Sequence, residues 1–164
     1  MKENLEKCLF IGKFQPFHKG HYRVVELLKN SFKDVIIAIG SVQNNFPFTL
    51  EEKKQMIYEN TGIKKVITLE DLKEGHKYYR DWGGYVLEII KDIDLVATGN
   101  ESVKKDFYKH NLPILWLPRY ESISGSKIRK QIAHGDFRWA DMVTEQTKKI
   151  IEKSEYYLKE FSSK

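Results

Sequence analysis

The sequence predicts an α/β fold: a Rossmann-like, doubly wound, parallel five-stranded sheet with helices on both faces and a C-terminal helical segment. Three observations carry this. Short apolar runs of strand length recur at Cys8–Ile11, Val35–Ile39, Lys65–Leu69, Ile93–Ala97 and Ile114–Leu117. The runs are continuous rather than alternating, as parallel strands covered on both faces require. Helix-like segments separate them, at Tyr22–Ser31, Leu50–Asn60, Gly84–Lys91 and Ser102–His110, which is the alternation of βαβ units.

Each element and its following loop has a local reason. The first run leads into Gly12-Lys13-Phe14-Gln15-Pro16-Phe17-His18-Lys19-Gly20-His21 and then a helix start. A helix N-terminus offers unbonded N–H groups and the positive end of the dipole, a natural seat for polyphosphate. Gly20 lets backbone approach a ligand closely. His18 and His21 can each give a ring N–H to a phosphoryl oxygen, where donors count most against charge developing in a transition state. A turn histidine and a cap histidine without chemistry are the other reading. The flanking strand and helix, and a second anion motif near the C-terminus, favour the ligand. The second run ends at Gly40-Ser41, which can expose backbone groups, and Thr49 with Glu52 forms a capping box for the second helix.

The third run leads to a long polar loop, Glu70–Asp81, and then Trp82. Trp82 reads either as a core tryptophan at a helix start or as an exposed stacking surface. Asp71, Glu74 and His76 share that loop, and an ordinary polar loop explains them better than a metal cage. The fourth run leads to Thr98-Gly99-Asn100. Gly99 permits close approach, and Asn100 caps the next helix or bonds a ribose hydroxyl; capping alone accounts for it. The fifth leads to Pro118-Arg119-Tyr120-Glu121-Ser122-Ile123-Ser124-Gly125-Ser126-Lys127-Ile128-Arg129. Hydroxyls and N–H groups open a helix over Ser124–Ala133, with Arg129 on the face of Ser126. This is either an ordinary capped basic helix or a second anion site, suited to the outer phosphates of a nucleoside triphosphate. Thr144–Phe161 reads as one C-terminal helix, whose Ile150, Ile151, Tyr157, Leu158 and Phe161 make a packing face.

The chain has 164 residues, 41% of them hydrophobic, which suits one domain over 1–164. Its single cysteine, Cys8, lies in the first apolar run; it gives no disulfide framework and points to a reducing compartment. No apolar stretch approaches the ~20 residues of a membrane span, and Met1–Glu6 lacks a signal-peptide core. A cytoplasmic protein without membrane association is expected. The net charge is +5, but Lys and Glu are interleaved with no long basic run. That is a solvated surface rather than a nucleic-acid face, and a modest positive excess steers phosphate-rich ligands.

Residues 12–21 resemble the signature of the nucleotidyltransferase superfamily that carries His-x-Gly-His. More narrowly they are similar to the archaeal-type nicotinamide mononucleotide (NMN) adenylyltransferases, which open Gly-Arg-Phe-Gln-Pro-x-His-x-Gly-His; Lys13 stands in the Arg place. Ser124 to Arg129 resembles Ser-x-Ser/Thr-x-x-Arg. Gly40-Ser41-Val42-Gln43, Pro47-Phe48-Thr49 with Glu52-Lys53 in the Glu-Arg place, Trp82 with Tyr85-Val86, and Thr98-Gly99-Asn100 extend the likeness from about Cys8 to Ile151. The resemblance implies AMP transfer from ATP to NMN, giving NAD and pyrophosphate, in NAD biosynthesis. It implies His18, His21, Lys13 and Arg129 as catalytic groups. It places Gly12, Phe14, Gly20, Gly99, Asn100, Ser124, Ser126 and Arg129 on ATP, and Phe14, Gln15, Gly40, Ser41 and Trp82 on NMN. Mg²⁺ arrives with ATP, no protein metal site is expected, and a homo-oligomer is implied. Tyr79 occupies a position where the family usually has Asn, three residues before the Trp. Flavin mononucleotide, phosphopantetheine or an alcohol phosphate (the last through cytidylyl transfer) therefore stay open as acceptors. A non-catalytic nucleotide-binding regulator is the reading from another class.

Overall fold

The computed structural model describes residues 5–41, 43, 46–117, 119 and 122–162. Val42, Asn44, Asn45, Pro118, Tyr120 and Glu121, which belong to the two loops read above, lie outside the described residues. Five parallel strands, β1 (Lys7–Gly12), β2 (Asp34–Ile39), β3 (Val66–Thr68), β4 (Leu95–Thr98) and β5 (Ile114–Trp116), form one sheet in the order β3-β2-β1-β4-β5. The order reverses at β1, whose Leu9 pairs with Ile36 on one side and Val96 on the other. This is the doubly wound pattern, and its ligands collect beyond the carboxyl ends of the strands. Seven helices accompany the sheet among the described residues: α1 (Lys19–Ser31), α2 (Leu50–Thr61), α3 (Trp82–Ile89), α4 (Glu101–Tyr108), α5 (Gly125–Ala133), α6 (Glu145–Lys153) and α7 (Glu155–Ser162). None is long and apolar enough to cross a membrane.

The chain forms two compact units. The first comprises Met1–Gly12, Leu27–Gln43 and Lys65–Arg119 and contains the whole sheet. Its core gathers Leu9, Ile11, Ala38, Leu69, Val86, Val96 and Phe107, the Leu, Ile, Val and Phe side chains each contributing about 1.5–3 kcal/mol when fully buried. Asp94, just before β4, ties down the start of the central strand β1: its Oδ2 accepts from the backbone N–H of Glu6 and Lys7, both at 2.9 Å. That explains why β4 starts at Leu95 rather than Ile93. The second unit comprises Lys13–Glu26, Asn44–Lys64 and Tyr120–Lys164. Phe14, Phe17, Phe48, Ile128, Trp139 and Ile151 are buried within it, and the Asn60 amide ties α2 to α6 by donating to Thr147 Oγ1 at 2.8 Å.

The expected capping box on α2 is present: Thr49 Oγ1 accepts from Glu52 N–H and Glu52 Oε2 from Thr49 N–H. One other expectation needs correction. The C-terminal segment is two helices, not one. Ser154 takes ψ 148° between them, and its buried hydroxyl donates to Ile151 O at 2.6 Å and accepts from Tyr157 N–H at 3.2 Å. The hydroxyl thus serves the end of α6 and the start of α7. Before α6 a 3₁₀ segment, Phe137–Met142, is capped by Asp136.

Candidate active site

The chain leaves β1 at Gly12 and enters the second unit at Lys13. Phe14 then adopts φ +52°, an uncommon conformation for a bulky residue that costs of order 1 kcal/mol. Two features hold it. Its ring is 1% exposed, and the next side chain, Gln15, clasps the Phe48 backbone in both directions: Nε2 donates to Phe48 O at 3.1 Å and Oε1 accepts from Phe48 N–H at 3.0 Å.

This turn delivers the two histidines. His18 Nδ1 accepts from the N–H of Gly20 at 3.1 Å and of His21 at 3.4 Å, so an imidazole caps α1. The helix consequently begins at Lys19, three residues before the sequence pattern suggests. His21 Nδ1 accepts from His18 N–H at 3.2 Å. The two rings stack with centroids 3.7 Å apart, and Phe14 and Phe17 press on His21 from the side. Burial lowers the His18 pKa to about 4. Burial, and then the neighbouring His18, lower that of His21 well below its ordinary value. Both rings are therefore neutral near pH 7. A neutral imidazole whose Nδ1 accepts carries its proton on Nε2. The fold thus makes each Nε2 a hydrogen-bond donor.

His18 and His21 line a cavity of about 690 Å³ in this unit, together with Lys13, Phe14, Gln15, Ser126, Arg129 and Lys130. Arg129 is held by both arms of its fork: Nη1 donates to Gln15 O at 2.6 Å and Nη2 to Ser126 Oγ at 3.2 Å. Gly125 permits this approach, since a Cβ there would sit 3.0 Å from both Gln15 O and Arg129 Nη1. Ser124 caps α5 by accepting from Lys127 N–H. Among the described residues, three cations, two neutral ring donors and no carboxylate line the cavity, a composition suited to a polyanion.

The remaining predicted residues lie in the first unit. Gly12 ends β1, and its carbonyl accepts from Gly40 N–H just after β2. Ser41 takes φ +52° and donates its hydroxyl to Asp71 Oδ1 at 2.9 Å. Asn100 caps α4, its Oδ1 accepting from Ser102 and Val103 N–H. Gly99 O accepts from Arg119 Nε. Trp82 opens α3, where Asp81 supplies the cap. Its indole is half-buried, donates to Glu70 O at 3.1 Å and meets Phe107 edge-on.

Phe46, Lys130 and Tyr156 line the cavity without a ligand role expected from sequence, and Pro47 is marked there only within the Pro47-Phe48-Thr49 likeness. Lys130 adjoins Arg129, and basic neighbours on one helix turn were the available signal. Tyr156 meets Phe46 and Phe48 edge-on; nothing in its spacing separates it from Tyr157, which packs on Phe161 and Trp139. Lys53, in the position of the family's Arg, is 1% exposed in α2, with its pKa lowered by burial. Cys8 is fully buried, and burial pushes its thiol up to about 12, so it is an inert core residue.

Residues 9–131 match the cytidylyltransferase-like family, and the chain belongs to it. Within that family it is similar to the nicotinamide-nucleotide adenylyltransferase of Methanocorpusculum labreanum, with 33% identity covering 90% of each chain. It is similar also to the enzyme of that name from Methanolobus tindarius, with 33% identity covering 85% of this chain and 83% of the other. In fold it matches a bifunctional NMN adenylyltransferase/ADP ribose pyrophosphatase from Francisella tularensis, complexed with AMP and a Mn ion, at TM-score 0.66 and 20% identity. That match covers 97% of this chain and 52% of the other, so the chain spans about half its length.

Proposed function

We propose that the protein is a nicotinamide-nucleotide adenylyltransferase, transferring AMP from ATP to NMN to give NAD and pyrophosphate. The observation that carries this reading is the neutral, stacked pair His18 and His21 beside Arg129 in a cavity of cationic lining, in a chain whose relatives bear that name. In the reaction a phosphate oxygen of NMN forms a bond to the α-phosphorus of ATP. The bond from that phosphorus to the bridging oxygen breaks, and its electron pair leaves with pyrophosphate. No covalent enzyme intermediate is required. Catalysis is positioning and charge neutralisation.

His18 and His21 donate through Nε2 to the phosphoryl oxygens on which charge builds. Being neutral already, they bind without a change of protonation. Lys13 and Arg129 hold the β- and γ-phosphates, and Lys130 adds charge beside them. Among the described residues no carboxylate lines the cavity, and none form a cluster of three or more His, Cys, Asp or Glu able to hold a metal. Mg²⁺ would enter as part of the nucleotide substrate, and Lys13, Arg129 and Lys130 would share with it the neutralisation of the phosphate charge. The same reading gives Gly12, Phe14, Gly20, Gly99, Asn100, Ser124 and Ser126 to ATP, with Arg129, and Phe14, Gln15, Gly40, Ser41 and Trp82 to NMN; it extends to a homo-oligomer, which light scattering tests.

The decisive experiment follows pyrophosphate release from ATP with NMN, nicotinate mononucleotide, flavin mononucleotide and phosphopantetheine compared at equal concentration. Turnover with NMN at the highest kcat/KM is expected. A higher value with flavin mononucleotide or phosphopantetheine would keep the adenylyl transfer and replace the acceptor.

A further inference from the structure

Asp81 does more than a helix cap needs. A cap requires one hydrogen bond from its side chain to an early N–H of the helix, and Asp81 Oδ1 supplies it by accepting from Gly84 N–H at 3.0 Å. The same oxygen also accepts from His110 Nε2 at 2.7 Å and lies 3.1 Å from Lys109 Nζ. Burial pushes this carboxyl up, but the hydrogen bonds from His110, Gly84 and Lys109 outweigh it and hold the pKa at about 2. Lys109 Nζ donates in addition to Arg80 O at 3.1 Å, tying down the end of the loop in which Tyr79 replaces the family's Asn.

The two added partners, Lys109 and His110, follow directly on the C-terminal end of α4. The Lys109 ammonium is favoured there because the helix carbonyls point outward. The two helices also touch through backbone. A Cβ at Gly83 would fall 2.1 Å from Asp106 O and 3.1 Å from the His110 ring, so only glycine lets α3 seat this closely. Between Asp81 and Gly83 stands Trp82, whose ring meets the fully buried Phe107 of α4 edge-on at 6.3 Å. The backbone on both sides of Trp82 and the ring itself are thus anchored to one helix.

We propose that His110 and Asp81 are positioning residues for Trp82, clasping the start of α3 onto the end of α4 so that the indole is fixed for stacking on the pyridinium ring of NMN. The inference rests on the NMN reading above. A cationic ring stacks productively only on an indole held in one orientation, because ordering a loose one consumes part of the binding energy.

The test compares His110→Ala, His110→Gln, Trp82→Ala and the double variant His110→Ala/Trp82→Ala in the full chain, each with KM for NMN, KM for ATP and kcat. His110→Ala raises KM for NMN about three- to tenfold, the scale of one lost hydrogen bond. It leaves KM for ATP and kcat within twofold. His110→Gln, whose amide can still donate to Asp81, recovers most of the loss. In the Trp82→Ala background the effect of His110→Ala falls below twofold, because the residue it positions is gone. Should His110→Ala not fold, Asp81→Asn keeps the cap through its amide oxygen, weakens the pull on His110 and Lys109, and gives the same split. Equal rises in both KM values, an undiminished effect in the Trp82→Ala background, or no change in KM for NMN overturns the clasp. If Trp82→Ala raises KM for NMN while His110→Ala does not, only the clasp fails. If Trp82→Ala itself leaves KM for NMN unchanged, the stacking reading fails and takes the clasp with it.

Discussion

The imidazole of His18 is divided between two tasks: Nδ1 caps α1 and Nε2 is left for chemistry. His21 repeats the division, giving Nδ1 to the His18 N–H. Truncating His21 therefore removes a donor and a backbone partner together, and two variants separate them. His21→Ala is expected to lower kcat by about two to three powers of ten, the scale of one lost transition-state donor, and to lower the melting temperature as well. His21→Asn keeps an acceptor for the His18 N–H and loses the Nε2 donor; it should match the Ala variant in kcat while recovering most of the stability. A His21→Asn enzyme within threefold of wild type would remove His21 from the chemistry.

The histidines also fix a pH dependence. His18 is 9% exposed and holds a pKa of about 4 in the folded chain, against about 6.5 when unfolded. As pH falls below about 6.5 the unfolded chain takes up a proton that the folded chain refuses. Stability then declines by up to about 1.4 kcal/mol per pH unit for this residue, and the decline stops below about pH 4. His18→Gln should flatten the profile of melting temperature against pH between 4 and 6.5. An unchanged slope in that variant would refute the assignment.

At the scale of elements, α3 makes the sharpest forecast. Gly→Ala in an exposed helix interior stabilises by roughly 1 kcal/mol. Gly83→Ala should do the opposite, destabilising by about 1–3 kcal/mol, since its Cβ would fall 2.1 Å from the Asp106 carbonyl. Urea unfolding measures the sign, and a stabilised variant would show that α3 and α4 do not meet as described. The elements also mark what was readable beforehand. The five strands were legible as short continuous apolar runs, fully buried in β4 and only partly in the edge strands β3 and β5, and the α2 cap through the Thr49–Glu52 pair. The start of α1 was not, because histidine is no ordinary cap residue. Nor was the break at Ser154, where one buried hydroxyl redirects a chain whose helical pattern continues through it. In the candidate site, the Gly12–His21 and Ser124–Arg129 motifs gave the histidines and Arg129. Tyr156 reaches the cavity from a segment with no motif, and Phe46 from the position just before Pro47-Phe48-Thr49; only packing reveals them.

At the scale of the molecule, the two compact units alternate along the chain: six segments, three to each unit, with the crossing at Glu26–Leu27 falling inside the unbroken α1. Neither unit is a contiguous piece, so thermal unfolding is expected to be a single transition. Each unit offers a probe. Cys8 is buried in β1 with its thiol pushed up to about 12, so alkylation reports opening of the first unit. Trp139 is 1% exposed in the second, and its fluorescence is isolated in a Trp82→Phe/Trp116→Phe background. The two midpoints should coincide within about 2 °C, the shift that roughly 0.5 kcal/mol produces in a chain of this size; separated midpoints would show that the units unfold independently. The interleaving also bears on synthesis. Ribosomes make the N-terminal segments first, and every segment of the first unit has been made once Arg119 is added. The second unit still waits for the stretch that begins at Tyr120. The histidines, among the earliest residues translated, meet Arg129 only late in elongation. A nascent chain truncated before that point has its sheet and both imidazoles but lacks the guanidinium that Gln15 receives, and so should emerge from the ribosome unable to hold a nucleotide.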